Sequence, residues 1–130
     1  VLDASKRIGT ACDVLAYSSL SNRLVVVELK SGFTGNRTLP AVDSKGNKQK
    51  LSSPFSTTDD NLLNRHLCQL TLTRHLLQAE QNLQTRLKKL GVNTEIDAVL
   101  LYANDRDTAL YRLDQWWEKR GARLASVVSV

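Results

Sequence analysis

Two short apolar segments constrain the fold of this chain more than any other feature. Residues 24–27 read Leu-Val-Val-Val, and residues 98–103 form the longest uninterrupted apolar run, of six residues. Apolar runs of this length, bounded by polar residues and turn signals, are typical of buried strands. A membrane-spanning helix needs about 18 apolar residues or more. The sequence therefore predicts a protein organised around a buried sheet, with no membrane-spanning segment and no membrane partner.

The first apolar segment belongs to a predicted β-hairpin over residues 10–30. Its strands are residues 11–17 and 23–30, and the turn-forming residues 18–22 separate them. The second strand is apolar at odd and even positions alike, which indicates a strand covered on both faces. A turn centred on Leu20 and Ser21 pairs residues whose numbers sum to 41, so that Asp13 lies opposite Glu28.

The middle of the chain is predicted to be a long loop followed by a helical segment. Residues 31–58 are rich in Gly, Pro, Ser, Thr and Asn, and residues 43–48 have the composition of a small hairpin. Leucines recur near helical spacing over residues 60–90, with Asp59 or Asp60 as the N-cap and Gly91 after the last turn. Thirty residues is long for one helix in a chain of this size, so a break is expected near residues 78–81.

The last third of the chain returns to strands. Residues 94–103 predict a buried strand, residues 108–113 a short partner strand, and residues 114–120 a short helix. The apolar tail, residues 124–130, fits a further edge strand or an artificial end. The order of elements predicts an α/β fold with a mixed central sheet flanked by helices, in a single domain over residues 1–130.

Charge and cysteine content restrict the partners and the setting. The net charge is +5, which permits binding to a polyanion without requiring it. Two cysteines, Cys12 and Cys68, are too few for a disulfide framework and lie among apolar residues. We expect two reduced, buried thiols in an intracellular protein.

Three charged residues interrupt the apolar hairpin strands: Asp13, Glu28 and Lys30. Side chains two apart on a strand share a face, and the expected register adds Asp13 to the same face. Two adjacent carboxylates repel each other, and a hard cation such as Mg²⁺ or Mn²⁺ would remove that repulsion, with the backbone carbonyl of Leu29 as a further ligand. Lys30 would orient an attacking water or stabilise charge on a phosphate. The alternative is a purely structural polar cluster.

This pattern resembles the motif of the PD-(D/E)XK nuclease superfamily. Asp13 is followed after fourteen residues by Glu28-Leu29-Lys30, and the string from Val25 to Gly32 is typical of that family's third core strand. The resemblance implies a restriction-endonuclease-like core in which Asp13 and Glu28 bind Mg²⁺ and Lys30 is the catalytic lysine. Residues 66–73 also resemble the Gln-x-x-x-Tyr element of the RecB-type, exonuclease-like branch, which implies that Gln69 lies near the active site.

The chain departs from the family pattern at three places. Cys12 stands where the family has a proline, and Thr73 stands where the RecB-type branch has a tyrosine. The family core opens with a helix and a first strand, and residues 1–10 are too short to supply both. We therefore expect either that this chain is a piece of a longer protein or that the enzyme is incomplete, and Asp3 is a candidate for an upstream acid.

Basic residues outside the motif suggest how a nucleic acid would bind. Each phosphate that a basic side chain neutralises adds affinity that falls as the salt concentration rises. Lysines and arginines on a flexible loop would therefore contact the backbone of a nucleic acid, DNA in preference to RNA. The alternative is a solvated loop. The candidates are Arg37, Lys45, Lys48 and Lys50 on the loop, and Arg65 and Arg74 on the following helix.

Two functions follow from these patterns. The first is a Mg²⁺-dependent nuclease that hydrolyses phosphodiester bonds of DNA, with endonuclease and exonuclease activity both left open. The second is a catalytically inactive module of the same fold that binds nucleic acid or a protein partner within a larger protein. Further partners would be a second copy of the chain or other domains.

Overall fold

A computed structural model describes residues 2–3, 8–9, 11–31 and 35–128, with no side chains described before residue 11. The side chain of Asp3, the candidate upstream acid, therefore lies outside the described residues. The elements in chain order are β1 (Leu2–Asp3), β2 (Ile8–Gly9), β3 (Val14–Ser18), β4 (Arg23–Ser31), α1 (Leu62–Gln78), α2 (Gln81–Leu90), β5 (Asn93–Ala103), β6 (Thr108–Arg112), α3 (Gln115–Glu118) and α4 (Gly121–Val128).

Four strands form one mixed sheet in the order β3-β4-β5-β6, and β1 pairs with β2 separately. The pairs β3–β4 and β5–β6 are antiparallel, and the central pair β4–β5 is parallel. The parallel pair requires a long crossover, which the loop and the helices α1 and α2 supply. The predicted α/β class, a mixed sheet flanked by helices, is confirmed.

The hairpin register matches the expectation from the sequence. Val14 pairs with Val27 and Leu15 with Val26, so paired numbers sum to 41 as predicted. The turn closes on Asn22, which adopts a left-handed conformation at φ 55° and donates from its side chain to the carbonyl of Gly91 at 2.8 Å. The end of this turn is therefore tied to the end of α2.

The hydrophobic core lies on one face of the sheet. Val26, Ala98 and Leu100 are fully buried and belong to the same apolar cluster as Leu67 and Leu70 of α1. The side chains at even-numbered positions of β4 and β5 are therefore the ones that face the core.

The opposite face is more accessible than predicted. Val25 and Val27 are half-buried and Leu29 is 44% exposed. The expectation that β4 is covered on both faces is therefore wrong for the part of the chain that the structure describes. Apolar residues at odd and even positions show that both faces of a strand could be buried. Burial also requires other elements that pack over each face.

The helical segment divides where the sequence predicted a break. α1 ends at Gln78, and Glu80 caps α2 by accepting from the backbone N–H of Asn82 and Leu83. Gly91 ends α2 at φ 70°, as its position suggested.

The predicted N-cap of α1 is wrong, because Asn61 takes that position. The Asn61 side chain accepts from the N–H of Asn64 at 2.7 Å. Asp59 and Asp60 instead form ion pairs with Lys50 and Arg65. A cap is decided by which side chain can reach the free N–H groups, and three consecutive candidates compete here.

The predicted edge strand near the end of the chain is also wrong, since residues 121–128 form α4. Ala125 is fully buried and packs with Leu76 of α1. Gly121 lies so close to α1 that an added Cβ would be 2.9 Å from the Cβ of His75. The apolar composition of the tail is compatible with a strand or a helix, and the packing against α1 favours the helix. Residues 129–130 lie outside the described residues.

The long loop contains the small hairpin that its composition predicted. Val42 pairs with Lys48, and the Asp43 carboxylate accepts from the N–H groups of Lys45 and Asn47.

The thiols Cys12 and Cys68 are both free and half-buried rather than fully buried. No helix within the described ranges has the length and apolarity needed to cross a membrane.

Candidate metal and phosphate site

Glu28 and Lys30 lie on the face of β4 that points to the core. Glu28 is only 3% exposed, because alternation along the strand places it on the same side as Val26. Its Oε1 lies 3.2 Å from Nζ of Lys30, whose side chain is 24% exposed. The acid and the amine thus form a pair at the end of β4, with the amine closer to solvent than the acid.

Gln69 joins this pair from the neighbouring helix. The Nζ of Lys30 donates to Oε1 of Gln69 at 3.2 Å, so α1 and β4 meet at the lysine. Gln69 itself is exposed, while the next residue, Leu70, is fully buried. The structure therefore brings together three residues that the motif comparison had singled out from separate parts of the sequence.

Asp13 lies at the bend just before β3, one residue before Val14, which is the first residue of β3 to pair with β4. Its Oδ2 accepts from the backbone N–H of Leu29 at 2.9 Å. Asp13 is exposed, because it adjoins β3, which is an edge strand with largely exposed residues.

Both carboxylates influence the pKa of the neighbouring Cys12 thiol. The pKa of Cys12 is raised by burial first, and also by the negative charges of Glu28 and then of Asp13. The two carboxylates therefore lie close enough to act on the same thiol.

The second carboxylate oxygen of Glu28 is left unpaired by the residues that the structure describes. Its Oε2 is buried and makes no hydrogen bond with any residue that the structure describes. A buried acceptor without a partner costs free energy, and a carboxylate oxygen costs more than a neutral one. This atom marks a position where a cation or a donor from outside the chain would be stabilised.

The donor atoms around this position suit a hard cation. Glu28 and Asp13 supply carboxylate oxygens, and Asp13 holds the backbone at Leu29, whose carbonyl is the further ligand predicted from the sequence. Within the described residues there is no group of three or more His, Cys, Asp or Glu side chains that could hold a metal. Mg²⁺ is commonly held by one or two carboxylates, with water and substrate phosphate as the other ligands, so two carboxylates fit it.

Two residues beside the site were missed by the sequence analysis. His66 lies one helical turn before Gln69, and its Nδ1 is 2.6 Å from the hydroxyl of Tyr102. Tyr102 is 1% exposed and is the register partner of Lys30 in the parallel pair. The spacing of His66 and Gln69 by three positions on a helix was a usable signal, whereas the pairing of Lys30 with Tyr102 needs the tertiary structure.

Several of the predicted basic contacts are engaged within the protein. Arg65 makes two hydrogen bonds to Asp60, at 2.5 and 2.8 Å, and this pairing lowers the pKa of the Asp60 carboxyl. Lys50 pairs with Asp59 and likewise lowers its pKa. Each of these two basic side chains thus has an acidic partner within the protein.

Arg74 is engaged in contacts with other parts of the protein. Its side chain is 11% exposed, its Nε donates to the carbonyl of Ile96 at 2.8 Å, and the same atom lies 3.6 Å from Glu118. These contacts join α1 to β5 and α3. The Arg74 side chain is therefore engaged in contacts within the protein and is not available to a nucleic acid.

The loop cations differ sharply in exposure. Lys45 and Lys48 are exposed on the small hairpin, as the prediction of a basic loop requires. Arg37 is not extended into solvent: its side chain is 13% exposed, and its Cζ lies 4.4 Å from the centroid of the Tyr102 ring. Lys45 and Lys48 are therefore accessible, whereas Arg37 is packed beside the site.

Comparison with known proteins adds no relative. No protein-family model, no curated protein and no solved structure matches this chain. Function must therefore be argued from the site itself.

Proposed function

We propose that this chain is a metal-dependent nuclease with a PD-(D/E)XK-like core that hydrolyses phosphodiester bonds of DNA. Asp13 and Glu28 would hold Mg²⁺ or Mn²⁺ together with the carbonyl of Leu29. Lys30 would act on the attacking water or the phosphate, and Gln69 would position Lys30. The chain's strand-strand-helix-strand order and the motif residues support the nuclease-like core.

One observation carries this proposal: Oε2 of Glu28 is buried and has no partner among the described residues, although Oε1 of the same carboxylate faces Lys30. A purely structural Glu–Lys pair would be expected to satisfy both carboxylate oxygens, because an unpaired buried acceptor costs about 1–3 kcal/mol. Here one oxygen binds the amine and the other is left without a donor among the described residues. A cation ligated by that oxygen accounts for the arrangement.

The chain's own groups can support hydrolysis. Lys30 has three N–H donors; one donates to Gln69, and the Nζ atom lies 3.2 Å from Oε1 of Glu28, so a donor remains for a water or a phosphate oxygen. The water oxygen bonds to phosphorus, one ester P–O bond breaks, and a proton from the water ends on the leaving alcohol. When bound, the divalent cation supplies positive charge that activates the water and stabilises charge on the phosphate.

The accessible cations favour a polyanionic substrate. Lys45 and Lys48 lie exposed on the small hairpin and can contact the phosphate backbone without sequence preference. Such contacts weaken as salt rises, so cleavage should depend on ionic strength through KM.

The test is cleavage of single-stranded and duplex DNA in the presence of Mg²⁺ or Mn²⁺. Asp13→Asn, Glu28→Gln and Lys30→Met should each lower the cleavage rate on the order of a hundredfold or more, while circular dichroism shows a folded protein. The matched control is Glu95→Gln, which removes a carboxylate of β5 that is 63% exposed. This control should cleave as well as the parent protein.

The contrary result is equally clear. If all three site variants cleave as well as the parent, or if the parent cleaves no DNA with either metal, the nuclease proposal fails. DNA binding that weakens with salt but does not respond to metal would then favour the inactive binding module.

A further inference from the structure

Arg37 follows β4 in the chain, and its guanidinium is packed inside the protein. The Nε atom is buried and has no hydrogen-bond partner among residues 11–31 and 35–128. Asp107 lies 3.6 Å from the Nη2 atom, beyond ordinary hydrogen-bond length, and is itself 61% exposed. A buried cation with an unmet donor is costly, so an external acceptor at this position would be stabilised.

The Arg37 guanidinium is held in place by an aromatic side chain. Its Cζ lies 4.4 Å from the centroid of the Tyr102 ring, within the range of a cation–π contact. The Tyr102 hydroxyl is in turn 2.6 Å from Nδ1 of His66. Stacking orients the planar group, and the histidine restrains the ring, so the donors of Arg37 have a defined direction.

This group adjoins the candidate metal site. Tyr102 is the register partner of Lys30 across the parallel strands β4 and β5. The pKa of His66 is lowered by burial first and by the positive charge of Lys30 second, which places the lysine within electrostatic reach of the histidine. Tyr102 thus contacts Arg37 through its ring and pairs with Lys30 through its backbone position.

We propose that Arg37, Tyr102 and His66 form a phosphate subsite that holds the phosphate next to the one that is cleaved. This proposal rests on the nuclease function proposed above. A guanidinium presents planar, paired donors that match phosphate oxygens, and it loses little freedom when it is already stacked. Lys30 and Arg37 would then contact successive phosphates of one strand and set the position of the bond to be broken.

The first test observes the buried Nε atom of Arg37 directly. In the metal-free protein, the Nε–H resonance of Arg37 is followed by NMR during titration with inorganic phosphate, with sodium chloride at equal ionic strength as the control. The Arg37→Gln variant assigns the resonance. We expect a saturable shift with phosphate and none with chloride; no shift, or an equal shift with chloride, overturns the subsite.

A second variant tests the site without removing the arginine. Asp107→Asn takes away the carboxylate that competes with an anion, so phosphate should bind about twofold to fivefold more tightly. Asp105→Asn removes an exposed carboxylate from the same turn and should leave phosphate affinity unchanged. Equal affinities for both variants and the parent would contradict the proposal.

The source of the phosphate is distinguished by a DNA titration. A short single-stranded oligonucleotide should shift the same Arg37 resonance, and Arg37→Gln should raise KM for cleavage about tenfold with kcat within about twofold of the parent. If inorganic phosphate shifts the resonance and the oligonucleotide does not, the pocket takes free phosphate and the proposed role fails.

The two proposals can fail separately. A protein whose Arg37 resonance responds to phosphate but which cleaves no DNA with Mg²⁺ or Mn²⁺ would retain an anion pocket while losing both the nuclease function and the role assigned to the pocket within it. A protein that cleaves through Asp13 and Glu28, with a flat phosphate titration and an unchanged KM in Arg37→Gln, would retain the nuclease function and refute the subsite.

Discussion

Divalent cations should stabilise this protein against thermal unfolding, and Glu28→Gln should remove that stabilisation. Glu28 is 3% exposed, and its Oε2 has no partner in the described part of the chain. A cation bound there contacts an atom that exists in this environment only in the folded state. The amide of glutamine is a much weaker ligand for a hard cation than a carboxylate.

The size of the effect follows from mass action. For a dissociation constant on the order of 1 mM, the weak end for oxygen sites, about 10 mM Mn²⁺ stabilises the folded state by about 1.4 kcal/mol. The unfolding entropy is about 2.1 cal/mol/K per residue, or about 0.27 kcal/mol/K for 130 residues. The expected rise in Tm is therefore about 5 °C.

Thermal denaturation followed by circular dichroism measures this shift, with and without Mn²⁺ at constant ionic strength. Glu28→Gln should show a shift of less than about 1 °C, because the ligating charge is lost. Glu95→Gln, the exposed control on β5, should keep the full shift. The reasoning is refuted if the parent protein shows no shift, or if Glu28→Gln shifts as much as the parent.

Three further outcomes are expected. Lys30→Met should abolish cleavage yet keep the Mn²⁺-dependent rise in Tm, because the amine is not a ligand; loss of both would contradict this division of roles. Arg74→Ala should lower the free energy of unfolding by about 2–3 kcal/mol in urea titrations, because it leaves a carbonyl of β5 without its donor, whereas exposed Arg86→Ala should change it by less than about 0.5 kcal/mol. Burial raises the pKa of Cys68 from 9.0 to about 12. The unfolded thiol thus loses its proton first, and stability that is complete below pH 9 should fall as the pH rises towards 12. Urea curves at pH 8 and pH 10.5 should show a smaller loss in Cys68→Ala than in the parent; an equal loss would assign the effect to other groups.

Local patterns predicted the hairpin and the helical break well. The register of β3 on β4 followed from the position of a short turn, since pairing propagates residue by residue from that turn. The break between α1 and α2 followed from length, and Gly91 marked the end of α2 because its left-handed conformation suits glycine. These features depend on interactions between residues close in sequence.

Competition between similar residues was harder to resolve. Asn61 caps α1 because its side chain reaches the N–H of Asn64, while Asp59 and Asp60 are engaged with cations. The tail from Gly121 to Val128 is a helix because it docks on α1, and its composition alone suited a strand equally well.

The candidate site divides in the same way. The sequence by itself determined that Glu28 and Lys30 share a face, since side chains alternate along a strand, and that the hairpin turn brings Asp13 to the adjoining residues. Only the tertiary structure decided that α1 places Gln69 on Lys30 and that Arg37 stacks on Tyr102. It also decided that one oxygen of Glu28 is buried without a partner in the described residues. Such contacts join residues far apart in the chain, and burial depends on everything that packs around an atom, which no local pattern of residues specifies.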